Sequence, residues 1–261
     1  MTVFEEISSI YNNNKYRDLD EKSWRGTTGI GNFKNLKSTL RRNHPVENML
    51  KNFRKYTDLS CEFNIPIQEH MKRYYRDALR LEEYIHEEDV IVEIGAGGAA
   101  GTALKFLSRN KIKCYVICDL STVLLVSYYN LTTSFPELKI HYLRPEEKLE
   151  VVYNDYDVVL VPQYDADKLR KISVKLFYNA YSLSEMCESE IAEYMDIIQS
   201  TGQYFISENY LGPKEGKCHI CDGPYLALKE FIPDNLKIVK QEDSISPGNG
   251  YEARPVIHYM I

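Results

Sequence analysis

The composition of the chain lacks the features that mark collagen-like and disordered proteins. Its 261 residues include one tryptophan, ten prolines and thirteen glycines, without an internal repeat or low-complexity tract, so collagen-like and bulk-disordered chains are excluded. Basic residues are not in excess, because 32 of them face 38 acidic ones, and a net charge of −6 argues against nucleic acid as the main partner. No uncharged apolar run approaches the roughly 20 residues that span a bilayer, so we expect no membrane insertion.

Signals for secretion and for metal binding are also sparse. The first residues lack a basic segment followed by an apolar one, so we expect a cytoplasmic protein with reduced thiols. Six cysteines are present, and residues 218–221, Cys-His-Ile-Cys, could supply part of a zinc site. A structural zinc site needs four ligands, and no second pair at suitable spacing exists, so we expect no metal.

The pattern of apolar residues divides the chain into two parts. Residues 1–87 are predicted to form a helical N-terminal arm or cap, and residues 88–261 an α/β domain. In the arm, apolar residues step by three and four along one helix face that starts near Pro66, which predicts a core-facing stripe. The stripe consists of Ile67, Met71, Tyr74, Ala78, Leu81 and Ile85.

From residue 89 onward, short apolar strands alternate with helical segments. This alternation predicts βαβ units and a mostly parallel sheet covered on both faces. The strands are expected at residues 90–94, 113–118, 139–143, 156–161 and 202–207, with helical sequence between the last two. Residues 236–241 and 255–261 are joined without a helix, which predicts an antiparallel C-terminal hairpin.

A glycine-rich turn follows the first strand and precedes a helix. Such glycines let the backbone approach a ligand whose polar end meets free helix N–H groups. The turn contains Gly95, Ala96 and Gly97, and Asp119 with Leu120 follows the next strand, 24 residues after Gly95. A carboxylate at that place can accept both ribose hydroxyls of an adenosine, so these residues are predicted to bind a cofactor.

Two cofactors fit this turn. Its spacing satisfies the looser dinucleotide pattern, so an NAD(P)-dependent oxidoreductase is one alternative. Glu93 favours S-adenosylmethionine, because a carboxylate buried in a strand needs a partner and the ammonium group of that cofactor would provide one. Gln163, at the end of the fourth predicted strand, is placed to touch the methionine part or the acceptor.

Three segments carry a resemblance to a known family. They are residues 93–98 (Glu-Ile-Gly-Ala-Gly-Gly), residues 118–120 (Cys-Asp-Leu) and residues 179–186 (Asn-Ala-Tyr-Ser-Leu-Ser-Glu-Met). Together they resemble class I S-adenosylmethionine-dependent methyltransferases and, through the third, the bacterial sugar O-methyltransferases with their Asn-x-x-Ser-x-x-Glu-Met block. Residues 119–122, Asp-Leu-Ser-Thr, depart from the Asp-Leu-Pro-Glu expected there. The resemblance covers residues 88–210 well.

The resemblance implies a fold and an activity. The fold is a Rossmann-like, mostly parallel seven-stranded sheet with a reversed last strand. The activity is methyl transfer from S-adenosylmethionine to a hydroxyl of a sugar or glycan precursor, as in bacterial surface polysaccharide synthesis. The partner would be a small molecule or glycan. A catalytically idle methyltransferase-like binding module is the other alternative, and the sequence leaves the oligomeric state open.

The acceptor site is expected at the carboxyl ends of the strands. Asn179, Ser182 and Asn209 are its predicted substrate contacts, although Ser182 with Glu185 also reads as a capping box that opens the next helix. A sugar hydroxyl needs a general base as its proton leaves. Glu208 and His219 are the favoured candidates, with Glu185 third.

Overall fold

The computed structural model describes residues 5–7, 9–10, 69–98, 100–209, 214–217, 224–225, 228–243 and 255–261. Its α-helices from residue 69 onward are α1 (Glu69–Glu82), α2 (Gly101–Leu107), α3 (Ser121–Ser134), α4 (Leu149–Val152) and α5 (Glu188–Thr201). Its strands are β1 (Val90–Ile94), β2 (Cys114–Asp119), β3 (Ile140–Tyr142), β4 (Val158–Pro162), β5 (Val174–Ala180), β6 (Gly202–Glu208), β7 (Lys214–Lys217), β8 (Pro224–Tyr225), β9 (Lys237–Asp243) and β10 (Pro255–Met260).

Eight of these strands form one sheet in the order β3-β4-β2-β1-β5-β6-β10-β9. The first six in this order pair in parallel, while β10 pairs antiparallel with both β6 and β9. Strands β7 and β8 make a separate antiparallel pair. The predicted α/β class and the antiparallel C-terminal hairpin are therefore confirmed.

The number of strands differs from the prediction, because the sheet has eight strands and not seven. The additional strand is β5, which lies in the segment that the sequence predicts as helical. Its residues, Val-Lys-Leu-Phe-Tyr-Asn-Ala, are almost all buried. A strand buried on both faces is a continuous apolar run, and its periodicity does not distinguish it from a buried helix. The 3₁₀ segments Gln163–Lys171 and Leu183–Glu185 flank it and strengthen the helical pattern.

The core lies on both faces of the sheet. On one face, Ile91 of β1 packs with buried side chains from α1, α2 and α3. On the other, Val92 and Ile94 pack with Ile191 and Ile198 of α5. This alternation follows from the period of two along a strand, so consecutive residues of β1 serve opposite layers.

Helix α1 buries charged groups as well as the predicted apolar stripe. Ala78 and Leu81 are buried as predicted, but Asp77 and Arg80 are also buried. The stripe's first position, residue 67, lies outside the described residues. Helix α1 therefore covers the sheet with a mixed face, and its charged residues face the carboxyl ends of the strands β5 and β6.

Helix α1 is fixed against the start of α2 by close packing. A Cβ added at Gly101 would lie 2.3 Å from Cε2 of Tyr74. The chain before residue 88 also reaches the same core, since Ile7 is fully buried among side chains of α2 and α3. The boundary between arm and domain at residues 87 and 88 stays a prediction.

We expect Gly101→Ala to destabilise the protein by about 1–3 kcal/mol, because the added methyl group forces the Tyr74 ring out of its packed position. The measurement is the free energy of unfolding in urea. Gly98→Ala is the matched control, because its Cβ would meet the Val126 side chain at 3.1 Å, a contact that a small shift relieves. Equal losses in the two variants would contradict the tight contact between α1 and α2.

Candidate cofactor and acceptor site

The glycine turn after β1 has two different environments. Gly95 and Gly97 both have positive φ, at 70° and 66°, a conformation that residues with a side chain rarely adopt. A Cβ on Gly95 would lie 2.0 Å from Oγ of Ser182, so this glycine admits another part of the chain. A Cβ on Gly97 would meet no atom of the described residues within 4 Å, so this glycine borders space that they leave open. Gly97 is therefore the position where a ligand can approach the backbone.

Asp119 ends β2 directly beside this turn, as predicted. Its Oδ2 accepts a hydrogen bond from the Gly97 N–H at 2.8 Å, and its Oδ1 accepts one from the Leu120 N–H at 2.7 Å. Ala96 and Leu120 are half-buried against the core below. Hydrogen bonds within the protein thus join Asp119, the residue predicted to bind ribose, to the predicted glycine turn.

Glu93 lies on β1, two residues before the turn, and is 4% exposed. The Tyr115 hydroxyl donates a hydrogen bond to its Oε2 at 2.8 Å. Burial raises the pKa of Glu93 to about 8, the Tyr115 bond and Arg73 act in the opposite direction, and the charges of Asp77 and Asp119 add to the rise. The carboxyl group is therefore largely protonated at neutral pH until a cation approaches it.

A buried charged cluster joins α1 to the strand ends. Arg80 donates from Nη1 to Asp77 Oδ1 at 2.8 Å and to Glu208 Oε2 at 3.4 Å. Burial, together with the charge of Glu208, raises the pKa of Asp77 to about 6, although Arg80 and Arg73 partly counteract this. Glu208 is 1% exposed. Glu208, one of the two favoured candidate bases, thus lies in a cluster of buried charged side chains.

Asn179, the second-to-last residue of β5, is fully buried and bonds to several other segments of the chain. Its Nδ2 donates to the carbonyl of Ile94 at 2.6 Å and to Oγ of Ser182, and its Oδ1 accepts from Nδ2 of Asn209 at 2.6 Å and from the Leu183 N–H at 3.3 Å. Both ends of the amide are thus occupied by protein groups. This geometry argues against the predicted direct contact of Asn179, and by extension Asn209, with a substrate and gives both a positioning role.

The predicted capping box at Ser182 and Glu185 is wrong. The helix that follows, α5, begins at Glu188, and Cys187 with Glu190 forms its capping box. Ser182 makes no capping bond, and its Oγ instead donates to the carbonyl of Ile94 at 3.2 Å. The reason is that β5 extends to Ala180, so the block at residues 179–186 is a strand end and its connection.

Tyr181, which the sequence did not single out as a site residue, follows β5 with a φ of 72°. A bulky residue in this region is strained, and such strain clusters at functional sites. The Tyr181 hydroxyl donates to Oε1 of Glu208, and its N–H donates to the Glu208 carbonyl at 2.9 Å. Tyr181 is half-buried and Glu208 is buried, so of these two residues Tyr181 is the one that is partly accessible.

Gln163, Glu185 and His219 are the other predicted site residues. Gln163 follows β4, which pairs with β2 on the side away from β1, and its Nε2 donates to Glu190 Oε1 at 3.0 Å. Glu185 lies half-buried in a 3₁₀ turn, and His219 lies outside the described residues. Strands β4 and β6 are four spacings apart, about 19 Å, so a carboxylate after β4 does not meet Glu208. Among the described residues, no cluster of three or more His, Cys, Asp or Glu could hold a metal ion.

Sequence reasoning missed the charged groups that α1 contributes. Arg73, Asp77 and Arg80 follow one another by four and three residues, which is the spacing of neighbours on one helix face. This face borders the apolar stripe that contains Ala78 and Leu81. This spacing indicates that the three charged residues lie on one helix face. It does not show that the face is buried, because an exposed row of ion pairs has the same spacing.

The pKa of Glu93 makes the stability of the protein depend on pH. Between the unfolded pKa of about 4.5 and the folded pKa of about 8, the native state holds a proton that the unfolded state has lost. We therefore expect the stabilisation to be complete below the lower value and to fall as pH rises, by at most about 1.4 kcal/mol per pH unit. Glu93→Gln should unfold in urea with a visibly flatter pH dependence.

Glu88→Gln, an exposed position near the start of β1, is the control and should keep the wild-type dependence. The pKa of Asp77 is also raised. The unfolding free energy of the Glu93→Gln variant should therefore keep a smaller dependence on pH near pH 5–6. Identical slopes in Glu93→Gln and the wild type would show that Glu93 is ionised in the folded protein.

Comparison with known proteins gives a fold but no family. No protein-family model matches the chain, and no curated protein matches it. Among solved structures, a Klebsiella pneumoniae protein assigned as an O-methyltransferase is similar with a TM-score of 0.50 and 10% identity, over 83% of this chain and 90% of that one.

Two other solved structures are similar at lower scores. An O-methyltransferase from Bacillus cereus in complex with S-adenosylhomocysteine has a TM-score of 0.49 and 9% identity, over 83% of this chain and 91% of that one. A glycopeptide N-methyltransferase, MtfA, complexed with S-adenosylmethionine, has a TM-score of 0.48 and 11% identity, over 72% and 94%. Through the first similarity, the sheet and its reversed C-terminal strand are those of the class I methyltransferase fold.

Proposed function

We propose that the chain is an S-adenosylmethionine-dependent O-methyltransferase. The observation that supports this most is the open space at Gly97, whose backbone is tied to Asp119 at the adjacent strand end. The ligand crevice of an open α/β sheet lies outside the carboxyl ends of its strands, which is where both residues lie. The methyltransferase fold of the chain agrees with this assignment.

The residues at this edge fit the cofactor in their chemistry. Asp119 is a carboxylate at the strand end, the type of group that accepts from ribose hydroxyls, and Glu93 is a buried carboxyl group that an ammonium group would ionise. Gln163 follows the strand beside Asp119, so we assign it to the adenosine end and not to the methionine end or the acceptor. When bound, S-adenosylmethionine supplies an activated methyl group on its sulfonium.

Tyr181 and Glu208 are the groups that we assign to proton removal. Tyr181 can accept the proton of an acceptor hydroxyl while its own proton passes to Oε1 of Glu208. The relay ends with a neutral tyrosine and a protonated, buried Glu208. In this arrangement Glu208 acts through Tyr181, which is the one of the two that is partly accessible.

The acceptor is proposed to be a hydroxyl of a sugar or glycan precursor. This part rests on the similarity of residues 179–186 to the block of the bacterial sugar O-methyltransferases. A small polar acceptor also agrees with the net charge of −6, and we propose that the protein works in the cytoplasm. In the described part of the chain, no helix has the length and apolarity that crossing a membrane requires.

Titration calorimetry with S-adenosylhomocysteine and with NADH tests the cofactor. We expect saturable binding of S-adenosylhomocysteine and none of NADH. Gly97→Val should abolish that binding, because a branched side chain at positive φ is strained and fills the space that the ligand needs. Retention of normal S-adenosylhomocysteine binding in a folded Gly97→Val variant would mean that the turn is only structural, and NADH binding would favour the oxidoreductase.

Tyr181→Phe and Glu208→Gln test the proton relay. We expect each to lower kcat for methyl transfer to nucleotide sugars and methyl glycosides by roughly 10²–10⁴-fold, with S-adenosylhomocysteine affinity unchanged. Single-turnover transfer of a radiolabelled methyl group is the measurement. Tyr84→Phe is the matched control, because it removes a tyrosine hydroxyl that bonds to His258 and not to Glu208. Wild-type rates in both test variants would place the base elsewhere.

A further inference from the structure

Arg73 is a partly accessible guanidinium beside the glycine turn. Its side chain is 26% exposed, and its Nε is buried without a hydrogen-bond partner. The nearest carboxylate oxygen, Oδ2 of Asp77, lies 3.7 Å from Nε, which is beyond hydrogen-bond length. Because Nε is buried next to Asp77, a ligand would accept from the terminal nitrogens of the guanidinium and not from Nε.

Two ring contacts place Arg73 near the proposed cofactor site. Its Cζ lies 4.7 Å from the centroid of the Tyr181 ring and 4.9 Å from that of Tyr74. Tyr181 directly precedes Ser182, which abuts Gly95, and Tyr74 abuts Gly101 at the start of α2. The guanidinium therefore lies against two aromatic rings, one on α1 and one directly after β5.

Glu93 is influenced by the charges of both Arg73 and Asp119. Arg73 lowers the pKa of its carboxyl group, while Asp119 raises it. Arg80, a buried arginine of α1, already donates to Asp77 and to Glu208. The proposed site thus has an acid for ribose, an acid for an ammonium group, and a guanidinium close enough to act on the second acid.

We propose that Arg73 binds the carboxylate of the methionine half of S-adenosylmethionine. An amino acid end carries an ammonium and a carboxylate on one carbon, which matches the neighbouring Glu93 and Arg73. The planar guanidinium donates two parallel hydrogen bonds to a carboxylate, and stacking on Tyr74 and Tyr181 fixes its plane. Arg73 would thereby extend the site from the methyltransferase domain to the helix that precedes it. This inference rests on the proposed function.

Decarboxylated S-adenosylmethionine, which keeps the ammonium group and lacks the carboxylate, is the probe. We expect the wild type to bind it at least roughly tenfold more weakly than S-adenosylmethionine, since charge-assisted hydrogen bonds are lost. Arg73→Gln should weaken binding of S-adenosylmethionine by a similar factor and leave binding of the decarboxylated compound within about threefold. Arg76→Gln, an exposed arginine on the same helix, is the matched control and should change neither affinity.

The outcomes separate this inference from the proposed function. If the wild type binds neither compound, the methyltransferase assignment itself fails. If the wild type binds both equally, or if Arg73→Gln weakens both equally, the cofactor binds but Arg73 does not recognise its carboxylate. Melting temperatures establish that each variant is folded. Should Arg73→Gln not fold, Arg73→Lys keeps the charge without the planar fork and should narrow the difference between the two compounds, and an unchanged difference would overturn the inference.

Discussion

The carbonyl oxygen of Ile94 is the point on which the arrangement of the site depends. It accepts hydrogen bonds from Asn179 Nδ2 and from Ser182 Oγ, both at the end of β5. The next N–H, that of Gly95, donates to the Cys118 carbonyl of β2 at 2.8 Å. The peptide group that begins the glycine turn is thereby held from both neighbouring strands. Because these polar atoms are buried, loss of either side would leave unsatisfied groups, so the turn has one favoured geometry.

This constraint explains why the two glycines differ. Gly95 is needed because Ser182 comes close enough to exclude a Cβ, and that approach is what allows Ser182 to reach the Ile94 carbonyl. Gly97, two residues on, has no atom of the described residues near the position of a Cβ, and its backbone bonds to Asp119, to Ser127 and to the Ala100 N–H. The hydrogen bonds to the Ile94–Gly95 peptide group therefore hold the turn in one geometry. The side of the turn at Gly97 remains available to a ligand.

The charges between α1 and the sheet form the second layer of the site. Burying carboxylates costs free energy unless cations accompany them, and Arg80 compensates Asp77 and Glu208 directly. Among the described residues, the hydrogen-bond partner of Glu93 is the Tyr115 hydroxyl, and burial keeps the charged form of Glu93 unfavourable. In this account, a cationic ligand completes what the protein leaves uncompensated, and α1 is as much a part of the site as the glycine turn.

Sequence patterns predicted those elements whose positions depend on nearby residues. Strand β1 was predicted to the residue, because apolar residues end abruptly at glycines, and Asp119 was placed by the order of strand, helix and strand. Strand order could not be read in the same way. β4 inserts between β3 and β2, which moves Gln163 away from β5, and no local signal in residues 156–163 encodes that choice.

Long-range burial was the other limit of prediction. Asn179 was singled out from the sequence as a substrate contact, but the residues it bonds to, Ile94 and Asn209, are distant in sequence, so its hydrogen bonds to them were not visible. The positive φ of Tyr181 likewise arises from the hydrogen bonds that tie it to Glu208 and not from its own preference.

A crystal structure of the chain with S-adenosylhomocysteine tests the central claim most directly. The account predicts density for the ligand across the carboxyl edge of β1, with ribose hydroxyls within hydrogen-bond distance of Asp119 and the sulfur on the open side of Gly97. A ligand bound elsewhere, or a ribose with no contact to Asp119, would contradict it.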